Sequence, residues 1–260
     1  MEPLRTVWRY RWPVWIVFRK NLKAPFTGSI FGRLWNIVLP LVPVGAYLFL
    51  RLMLAPGDSG ADIHPAVYVA VGVTMWYVLS DLLLTTLASI KRSRTELAET
   101  SFPILGAVLA SYGTIIFDTM VRVIALLPVV LLLEGAPSIG ALWFLPVLLL
   151  GICFASAVGL ILLSLSFVFP DIEHILSVLM RYLIFVSLVI FPIPTDSGIW
   201  NTLLMLNPFA FFVDAMRNAL VHGEVQFDLV FGAYTVVTLA LLAFALHLLA
   251  ALQKPIRSLI

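Results

Sequence analysis

Six long apolar stretches determine what this chain of 260 residues can fold into. About 20 apolar residues cross the hydrocarbon core of a bilayer as a helix. A chain that is 62% hydrophobic and 12% charged has more apolar surface than a soluble core of this length buries. We therefore predict an all-α membrane protein with six transmembrane helices: Leu34–Leu54, Pro65–Ile90, Gly113–Leu133, Ala141–Val168, Ile172–Phe191 and Leu229–Leu252.

The lysines and arginines that flank these stretches lie almost entirely on one side of the predicted membrane. Twelve of the 16 occur before the first stretch, between the second and third, or after the sixth. The other side has only Arg51 and Arg217, together with seven acidic residues. Because loops rich in lysine and arginine remain in the cytoplasm, we expect both termini to be cytoplasmic.

The first 33 residues combine tryptophans with basic side chains. Trp8, Trp12 and Trp15 follow the spacing of one helix face, among arginines and lysines that continue to Arg33. This pattern predicts an amphipathic helix in the cytoplasmic interface, with indole rings at headgroup depth. Pro13 interrupts the pattern, and a simple basic topology anchor is the competing interpretation. The segment lacks the long uncharged core of a cleavable signal peptide.

The chain lacks the motifs of common nucleotide-dependent and metal-dependent enzymes. Neither G-x-x-x-x-G-K-[ST] nor H-E-x-x-H occurs. The single cysteine, Cys153, excludes a disulfide within the chain and any multi-cysteine metal site. A net charge of +2 gives no reason to expect a nucleic-acid partner. We therefore predict a protein without catalytic residues, a metal site or a cofactor of its own.

Charged side chains inside the apolar stretches need partners, because an isolated charge in lipid is costly. Arg181 lies near the middle of the fifth stretch, and three interpretations remain open. In the first, Arg181 pairs with an acid on another helix, and Asp81 is best placed by depth. In the second, it contacts an anionic substrate in a hydrated path. In the third, its side chain extends to the membrane surface. Asp118 and Arg122 are four residues apart, so we expect them to share a helix face and neutralise each other.

Small residues recur along one face of the fourth stretch. Gly151, Ala155 and Gly159 are spaced four residues apart. Such a face lets two helices approach closely, so the pattern predicts a helix-packing surface.

The segment after the second stretch, TELAETSFP (95–103), predicts a short cytoplasmic helix. The helix should end near Phe102, because Pro103 disfavours a helical conformation at the residue before it. Its acidic residues and its leucine would suit docking of a partner protein. An ordinary connecting loop is an equally good interpretation.

Phe191–Leu220 is too apolar for a surface loop and too interrupted by proline for a span. It can form two short helices, Gly198–Leu206 and Pro208–Leu220, because proline is well tolerated in a first helical turn. Neither is long enough to cross a bilayer at about 1.5 Å per residue. We predict a re-entrant helical hairpin between spans five and six, which enters the outer leaflet and returns.

Four segments carry a resemblance to one family: GSIFGRLWNIVLPL (28–41), TELAETSFPILGAV (95–108), FPDIEHILSVLMRYLIFVSLVIFPI (169–193) and NPFAFFVDAMRNAL (207–220). Together they resemble the membrane subunit of ABC-2 type exporters, in particular the polysaccharide group. Many members have Arg-Asp where this chain has Pro170-Asp171. With Ser187 and Phe191-Pro192, the chain most resembles the capsular polysaccharide export permeases.

The resemblance implies the ABC-2 (type V) exporter fold as a single transmembrane domain over residues 1–260. Its parts would be a cytoplasmic interfacial segment (1–33), spans one to five (34–192), a periplasmic re-entrant segment (193–228), span six (229–252) and a cytoplasmic tail (253–260).

The resemblance also implies partners and a cargo. The chain would form a homodimer with a translocation path between two copies, and two separate P-loop ATPase subunits would bind ATP and magnesium. The cargo would be a lipid-linked glycan, exported across the bacterial inner membrane and passed to periplasmic and outer-membrane export proteins. An O-antigen, teichoic acid or drug exporter is the nearer alternative, and a passive channel or a membrane transferase is a more remote one.

Three groups of residues are the candidate sites under this resemblance. The expected substrate path is Trp35, Tyr47, Arg181, Tyr182 and Phe185, although the aromatic members could equally face lipid or other helices. The expected contact with the ATPase is Thr95, Glu96, Leu97, Glu99 and Pro103, together with the N-terminal helix. The expected periplasmic gate is Asn207, Pro208, Asp214 and Arg217, in which the two charged side chains pair near the water boundary.

Overall fold

The computed structural model describes residues 10–23, 31–35, 63–99, 102–190, 206–225 and 229–257, with isolated positions between 38 and 49. Over these ranges the chain is helical and contains no strand. The helices are α1 (Arg11–Lys23), α2 (Pro65–Arg92), α3 (Arg94–Glu99), α4 (Ile104–Leu133), α5 (Phe144–Ser166), α6 (Ile172–Val186), α7 (Pro208–Arg217) and α8 (Leu229–Arg257). Short 3-10 helices cover Gly32–Leu34 and Ile139–Trp143, and a π-helical turn covers Asn218–His222.

Four helices in the described part of the chain are long and apolar enough to cross a membrane. They are α2, α4, α8, and α5 with the 3-10 turn before it. They correspond to the predicted second, third, sixth and fourth spans. Most of the predicted first span lies outside the described residues. The helix at the predicted fifth span ends at Val186 and not at Phe191, so α6 has 15 residues and a length of about 22 Å.

α2 is the central helix, because it packs against α4, α5, α6 and α7. Most of its length is buried, whereas α8 packs mainly on α5 and is largely exposed. Buried hydroxyl groups of α2 donate to carbonyls of the same helix: Thr74 to Ala70 at 2.8 Å, and Thr86 to Leu82 at 2.5 Å. A largely buried helix can therefore carry these two threonines with their hydroxyl donors paired.

The small-residue face predicted on α5 packs against α2. A Cβ atom on Gly151 would lie 2.3 Å from Met75 Cε, and one on Gly159 would lie 2.8 Å from Thr86 Oγ1. These distances leave no room for a side chain. The prediction of a helix-packing surface is confirmed.

α4 begins at Ile104, nine residues before the predicted start of the third span at Gly113. Residues 104–112 thus belong to α4, and α1 packs on this part of the helix. Gly106 and Gly113 provide the space: a Cβ atom on Gly113 would lie 2.7 Å from Phe18 Cδ2, and one on Gly106 would lie 3.2 Å from Val14 Cγ2.

α1 therefore has one face that packs on α4 and one face that is exposed. Val17 is buried, while Trp12 and Trp15 are exposed. This arrangement agrees with the predicted amphipathic helix. Pro13 lies in the first turn of α1, where its missing N–H leaves no helical hydrogen bond unmade.

Candidate functional site

α7 lies in a groove lined by α2, α5 and α8, and it runs antiparallel to α2. The ring of Phe209, at the start of α7, lies 5.4 Å from the ring of Trp76. The guanidinium carbon of Arg217, at the end of α7, lies 3.4 Å from the centroid of the Tyr68 ring. Since Tyr68 lies in the first turn of α2 and Trp76 two turns later, α7 follows the N-terminal half of α2.

Phenylalanine side chains hold α7 in this groove. Phe212 is fully buried and lies 5.3 Å, between ring centroids, from Phe154 of α5. Phe211 stacks on Tyr234 of α8 with 4.0 Å between centroids. Buried aromatic pairs of this kind add to the free energy of apolar burial. The phenylalanines that make this segment too apolar for a surface loop therefore anchor α7 in its groove.

Arg217 is a buried charge with several partners. Its side chain is 2% exposed. Nε and Nη2 donate to the Tyr68 carbonyl at 3.4 and 3.3 Å, and Nη2 also donates to the Leu188 carbonyl at 2.9 Å. Nη1 lies 3.5 Å from Asp214 Oδ1, so the predicted pair between these residues is present. The groove between α2 and the end of α6 encloses the Arg217 guanidinium, whereas the Asp214 side chain is 34% exposed.

The start of α7 is fixed by Asn207, which caps the helix and contacts α6. Its Oδ1 accepts a hydrogen bond from the backbone N–H of Phe209 at 3.0 Å, with Pro208 as the first helical residue. Its Nδ2 donates to the Val186 carbonyl and to Ser187 Oγ, both at 3.2 Å. One side chain thus begins α7 and joins it to the end of α6.

Leu188 follows the end of α6 in an unusual conformation. Its φ is 56°, in the left-handed region. Its carbonyl accepts hydrogen bonds from Tyr68 Oη at 3.3 Å and from Arg217 Nη2 at 2.9 Å. Gly72 makes the close approach possible, because a Cβ atom there would lie 2.9 Å from the Val189 carbonyl oxygen and 3.0 Å from Arg217 Nη2.

A second ion pair joins α2 to α4 within the spans. Arg122 Nη1 donates to Asp81 Oδ2 at 2.8 Å, and the Arg122 guanidinium carbon lies 4.9 Å from the centroid of the Tyr77 ring. From the sequence, Arg122 is expected to pair with Asp118, and Asp81 is the candidate partner of Arg181. The structure instead pairs Arg122 with Asp81, because α2 and α4 pack directly against each other and bring the two side chains to one depth.

At the opposite end of α2, α1 and α3 form a charged corner. Lys20 Nζ donates to Glu96 Oε1 at 2.5 Å. Burial raises the pKa of Glu96, but the hydrogen bond from Lys20 and a backbone hydrogen bond outweigh it, so that the pKa is lowered overall. Lys91, in the last turn of α2, pairs with Glu173 at the start of α6.

The predicted ATPase contacts lie at this corner. Thr95 is exposed, Leu97 is buried, and Glu99 is the last residue of α3, three residues before the predicted helix end. Pro103 precedes the first turn of α4, and its ring packs against Gly106.

The structure brings three of the five predicted path residues together. Arg181, Tyr182 and Phe185 lie on the exposed face of α6, where Tyr182 is 63% and Phe185 58% exposed. Trp35 is exposed and makes an edge contact with Phe31, at 6.0 Å between ring centroids. Tyr47 lies outside the described residues. In the described part of the chain, no group of three or more His, Cys, Asp or Glu residues is placed to hold a metal ion.

The sequence that forms these helices matches one family of membrane proteins. The family model for the "ABC-2 type transporter" matches residues 13–221. This chain belongs to the ABC-2 type transporter family. The match runs from the first turn of α1 into the π-helical turn, and therefore includes the charged corner. It also includes Arg217 with its neighbours Tyr68, Gly72, Leu188 and Asp214, which we call the Arg217 cluster.

Three export and transport proteins resemble the chain at low identity. The O-antigen export system permease protein RfbA of Myxococcus xanthus is 26% identical over 211 residues, which are 79% of this chain and 78% of the relative. RfbA of Klebsiella pneumoniae is 21% identical over 82% of each chain. The polysialic acid transport protein KpsM of Escherichia coli is 21% identical over 81% of each chain.

Several residues of the Arg217 cluster were not predicted. Tyr68, Gly72 and Leu188 come from other elements and carry no local pattern that would join them to α7. One signal was available for Leu188, because Pro192 follows it by four residues and provides no N–H for its carbonyl.

Proposed function

We propose that this chain is the permease subunit of an ATP-driven exporter that moves a lipid-linked polysaccharide across the bacterial inner membrane. Membership of the ABC-2 type transporter family supports the membrane-subunit role, and the names of its relatives support a polysaccharide cargo. The observation that carries the proposal is the exposed face of α6, where a cation lies beside two aromatic rings.

This face has the chemistry that an acidic glycan requires. A charged residue on a mainly apolar helix is expected to face a water-filled cavity and not lipid. The apolar faces of sugar rings pack on aromatic side chains while their hydroxyl groups remain hydrated. In our proposal Arg181 contacts acidic groups on the glycan, Tyr182 and Phe185 support the sugar rings, and Trp35 and Tyr47 line the same path.

The path lies between two copies of the chain. A homodimer places the α6 face of one copy toward that of the other, which gives the exposed cation and aromatic rings a common hydrated space. Two separate P-loop ATPase subunits supply the energy and bind ATP and magnesium, since this chain has no P-loop. Periplasmic and outer-membrane proteins then receive the glycan.

The charged corner is the contact for the ATPase. Lys20 joins α1 to α3, and Phe18 packs on Gly113 of α4. A push on Thr95, Glu96, Leu97 or Glu99 would therefore move α1 and α4 together, with Pro103 as the fixed start of α4. Both termini lie in the cytoplasm in this arrangement.

α7 is the second helix of a re-entrant hairpin at the periplasmic exit. Its position along the N-terminal half of α2, its cap at Asn207 and Pro208, and the pair between Asp214 and Arg217 support this role. In the proposed resting state, the seated α7 closes the exit.

Replacement of Arg181 tests the path directly. We expect Arg181→Leu to reduce surface polysaccharide at least tenfold, and Arg181→Lys to retain most of it because the charge remains. Surface polysaccharide would be measured by immunoblot in a strain that lacks the chromosomal gene, with the membrane level of each variant measured in parallel. Unchanged export by Arg181→Leu at an equal membrane level would remove Arg181 from the path.

Purification from the native membrane tests the class of protein. We expect a P-loop ATPase to copurify with the chain in equal amount. Ion flux through the purified chain alone would indicate a passive channel, and glycan transfer without any ATPase would indicate a membrane transferase.

The cargo is proposed to be a capsular polysaccharide, on the basis of Pro170-Asp171 and Phe191-Pro192. An O-antigen is the second candidate, because the RfbA proteins are among the relatives. Deletion of the gene distinguishes these two candidate cargoes. Loss of capsule with an intact lipopolysaccharide ladder supports the first cargo, and loss of the O-antigen ladder supports the second.

A further inference from the structure

The end of α6 has a conformation that its own sequence does not favour. Residues 187–190 read Ser-Leu-Val-Ile, without the glycine or asparagine that usually occupies left-handed positions. Leu188 nevertheless has a φ of 56°. The same residues continue an apolar pattern that predicts a helix to Phe191. Something outside the segment must therefore stabilise the break.

Pro192 explains why the break concerns the carbonyl of Leu188. In a continuing helix, this carbonyl would accept a hydrogen bond from residue 192, but proline has no N–H and its ring collides with the carbonyl four residues earlier. The structure gives the Leu188 carbonyl two other donors, Tyr68 Oη and Arg217 Nη2. Within the described residues, the donors to this carbonyl are side chains from α2 and α7.

Both ends of α7 bind the end of α6. Asn207, at the start of α7, donates to the Val186 carbonyl and to Ser187 Oγ. Arg217, at its end, donates to the Leu188 carbonyl. The broken end of α6 thus has donors from α7 on either side of the break, and these donors are available only while α7 occupies its groove.

We infer that residues 187–190 are a two-state element controlled by α7. While α7 is seated, Leu188 is left-handed and α6 ends at Val186. When α7 leaves its groove, Leu188 returns to a right-handed conformation and α6 extends by about one turn, or about 6 Å. The extended helix of about 28 Å would come close to the thickness of the hydrocarbon core. This coupling goes beyond the proposed function, because it concerns the two helices and not the cargo.

A pair of substitutions at position 188 isolates the backbone conformation. Leu188→Gly and Leu188→Ala remove nearly the same buried side chain and leave similar cavities. Glycine accepts the left-handed conformation, whereas alanine disfavours it and favours helix. If Leu188 changes conformation when α7 leaves its groove, Leu188→Gly should favour the state with α7 in the groove more than Leu188→Ala does. If Leu188 keeps its conformation, the two substitutions should affect that state equally.

The seating of α7 can be measured with a buried thiol. In a Cys153→Ala background, Ala219→Cys places a thiol at a fully buried position in the π-helical turn after α7. The full chain in lipid nanodiscs would be labelled with a polar maleimide. We expect labelling about tenfold faster with Leu188→Ala than with Leu188→Gly, which corresponds to about 1.4 kcal/mol.

Glu224→Cys, at an exposed position, is the control and should react at the same rate in both backgrounds. Equal rates at position 219 in the two backgrounds, or a faster rate with Leu188→Gly, would overturn the inference. Tyr68→Phe gives a second test that leaves the side chain at 188 intact. It removes the hydroxyl that donates to Leu188 but keeps the ring under Arg217, and we expect severalfold faster labelling at position 219. Unchanged labelling would show that the donors to Leu188 do not control α7.

Discussion

The guanidinium of Arg217 lies against the ring of Tyr68 and at the same time donates to the Tyr68 carbonyl. One residue of α2 thus contacts the cation with both its side chain and its backbone. Because Arg217 is the last residue of α7, the pair fixes that end of α7 to the first turn of α2. The cation is buried with partners on several sides, which is the condition under which a buried charge is tolerated.

Loss of the Arg217 guanidinium should destabilise the protein strongly. Arg217→Met keeps much of the apolar volume but leaves the Tyr68 carbonyl without its guanidinium donors and the Leu188 carbonyl with one donor fewer. We expect a loss of about 2–4 kcal/mol in the free energy of unfolding, since hydrogen bonds from a charged group contribute about 1.5–3 kcal/mol. Thermal unfolding in detergent measures the effect.

Asp214→Asn is the matched control for this substitution. The Asp214 side chain is 34% exposed, so loss of its charge should cost less than about 1 kcal/mol. An equal loss in both variants would mean that the ion pair, and not the carbonyl contacts, stabilises the end of α7.

The Asp81–Arg122 pair should behave as one unit. Asp81→Asn and Arg122→Gln each leave the partner without its opposite charge, and we expect each to cost about 3 kcal/mol. The double variant should be more stable than the sum of the single losses predicts, by about 1–3 kcal/mol. A double-mutant cycle on thermal unfolding measures this coupling, and strictly additive losses would contradict the pairing.

Gly113 should not tolerate alanine. A Cβ atom there would lie 2.7 Å from Phe18 Cδ2, so Gly113→Ala should displace α1 and cost about 1–3 kcal/mol. Gly232→Ala, on α8, is the control, because no heavy atom lies within 4 Å of a Cβ at that position. This variant should be neutral or more stable by up to about 1 kcal/mol, since alanine favours helix. Combination of Gly113→Ala with Phe18→Leu should recover part of the loss.

The contact between α1 and α3 should weaken in acid. The folded state lowers the pKa of Glu96, so the pair with Lys20 stabilises the fold above the ordinary carboxyl pKa of about 4.3 and loses this effect as the pH falls through the lowered value. The change should be below about 1 kcal/mol, because the pair is largely exposed. Thermal unfolding from pH 7 to pH 3 measures it, and Glu96→Gln should remove that part of the pH dependence.

The orientation of the chain can be tested with three thiols in the Cys153→Ala background. We expect Glu224→Cys to react with a membrane-impermeant maleimide in the periplasm of intact cells. Thr95→Cys should react only after the inner membrane is opened. Phe209→Cys should stay protected in both conditions, because the side chain at this position is buried against Trp76. Reaction of Thr95→Cys from the periplasm would contradict the predicted topology.

Features that depend on neighbouring residues could be predicted from the sequence. Apolar runs identify four of the spans, because each run is long enough to cross the bilayer by itself. Asn207 and Pro208 identify the start of α7, because a cap and a first-turn proline act within one turn of helix. Gly151 and Gly159 indicate close packing, although not that the neighbour is α2.

Features that depend on distant residues could not be predicted. Asp118 is four residues from Arg122 and was the obvious partner, but the ion pair forms with Asp81, 41 residues away, since helix packing decides which acid is near. The start of α4 was missed because residues 104–112 become helical against α1. The end of α6 was missed because its donors come from Tyr68, Asn207 and Arg217, which lie far along the chain.

The central position of α2 bears on the biogenesis of the protein. During synthesis α2 leaves the ribosome before α4, α5, α6 and α7, which later surround it. Arg122 follows Asp81 by 41 residues, so Asp81 leaves the ribosome before its eventual counter-ion does. The helix on which the others assemble is therefore also one whose stable insertion must await its successors.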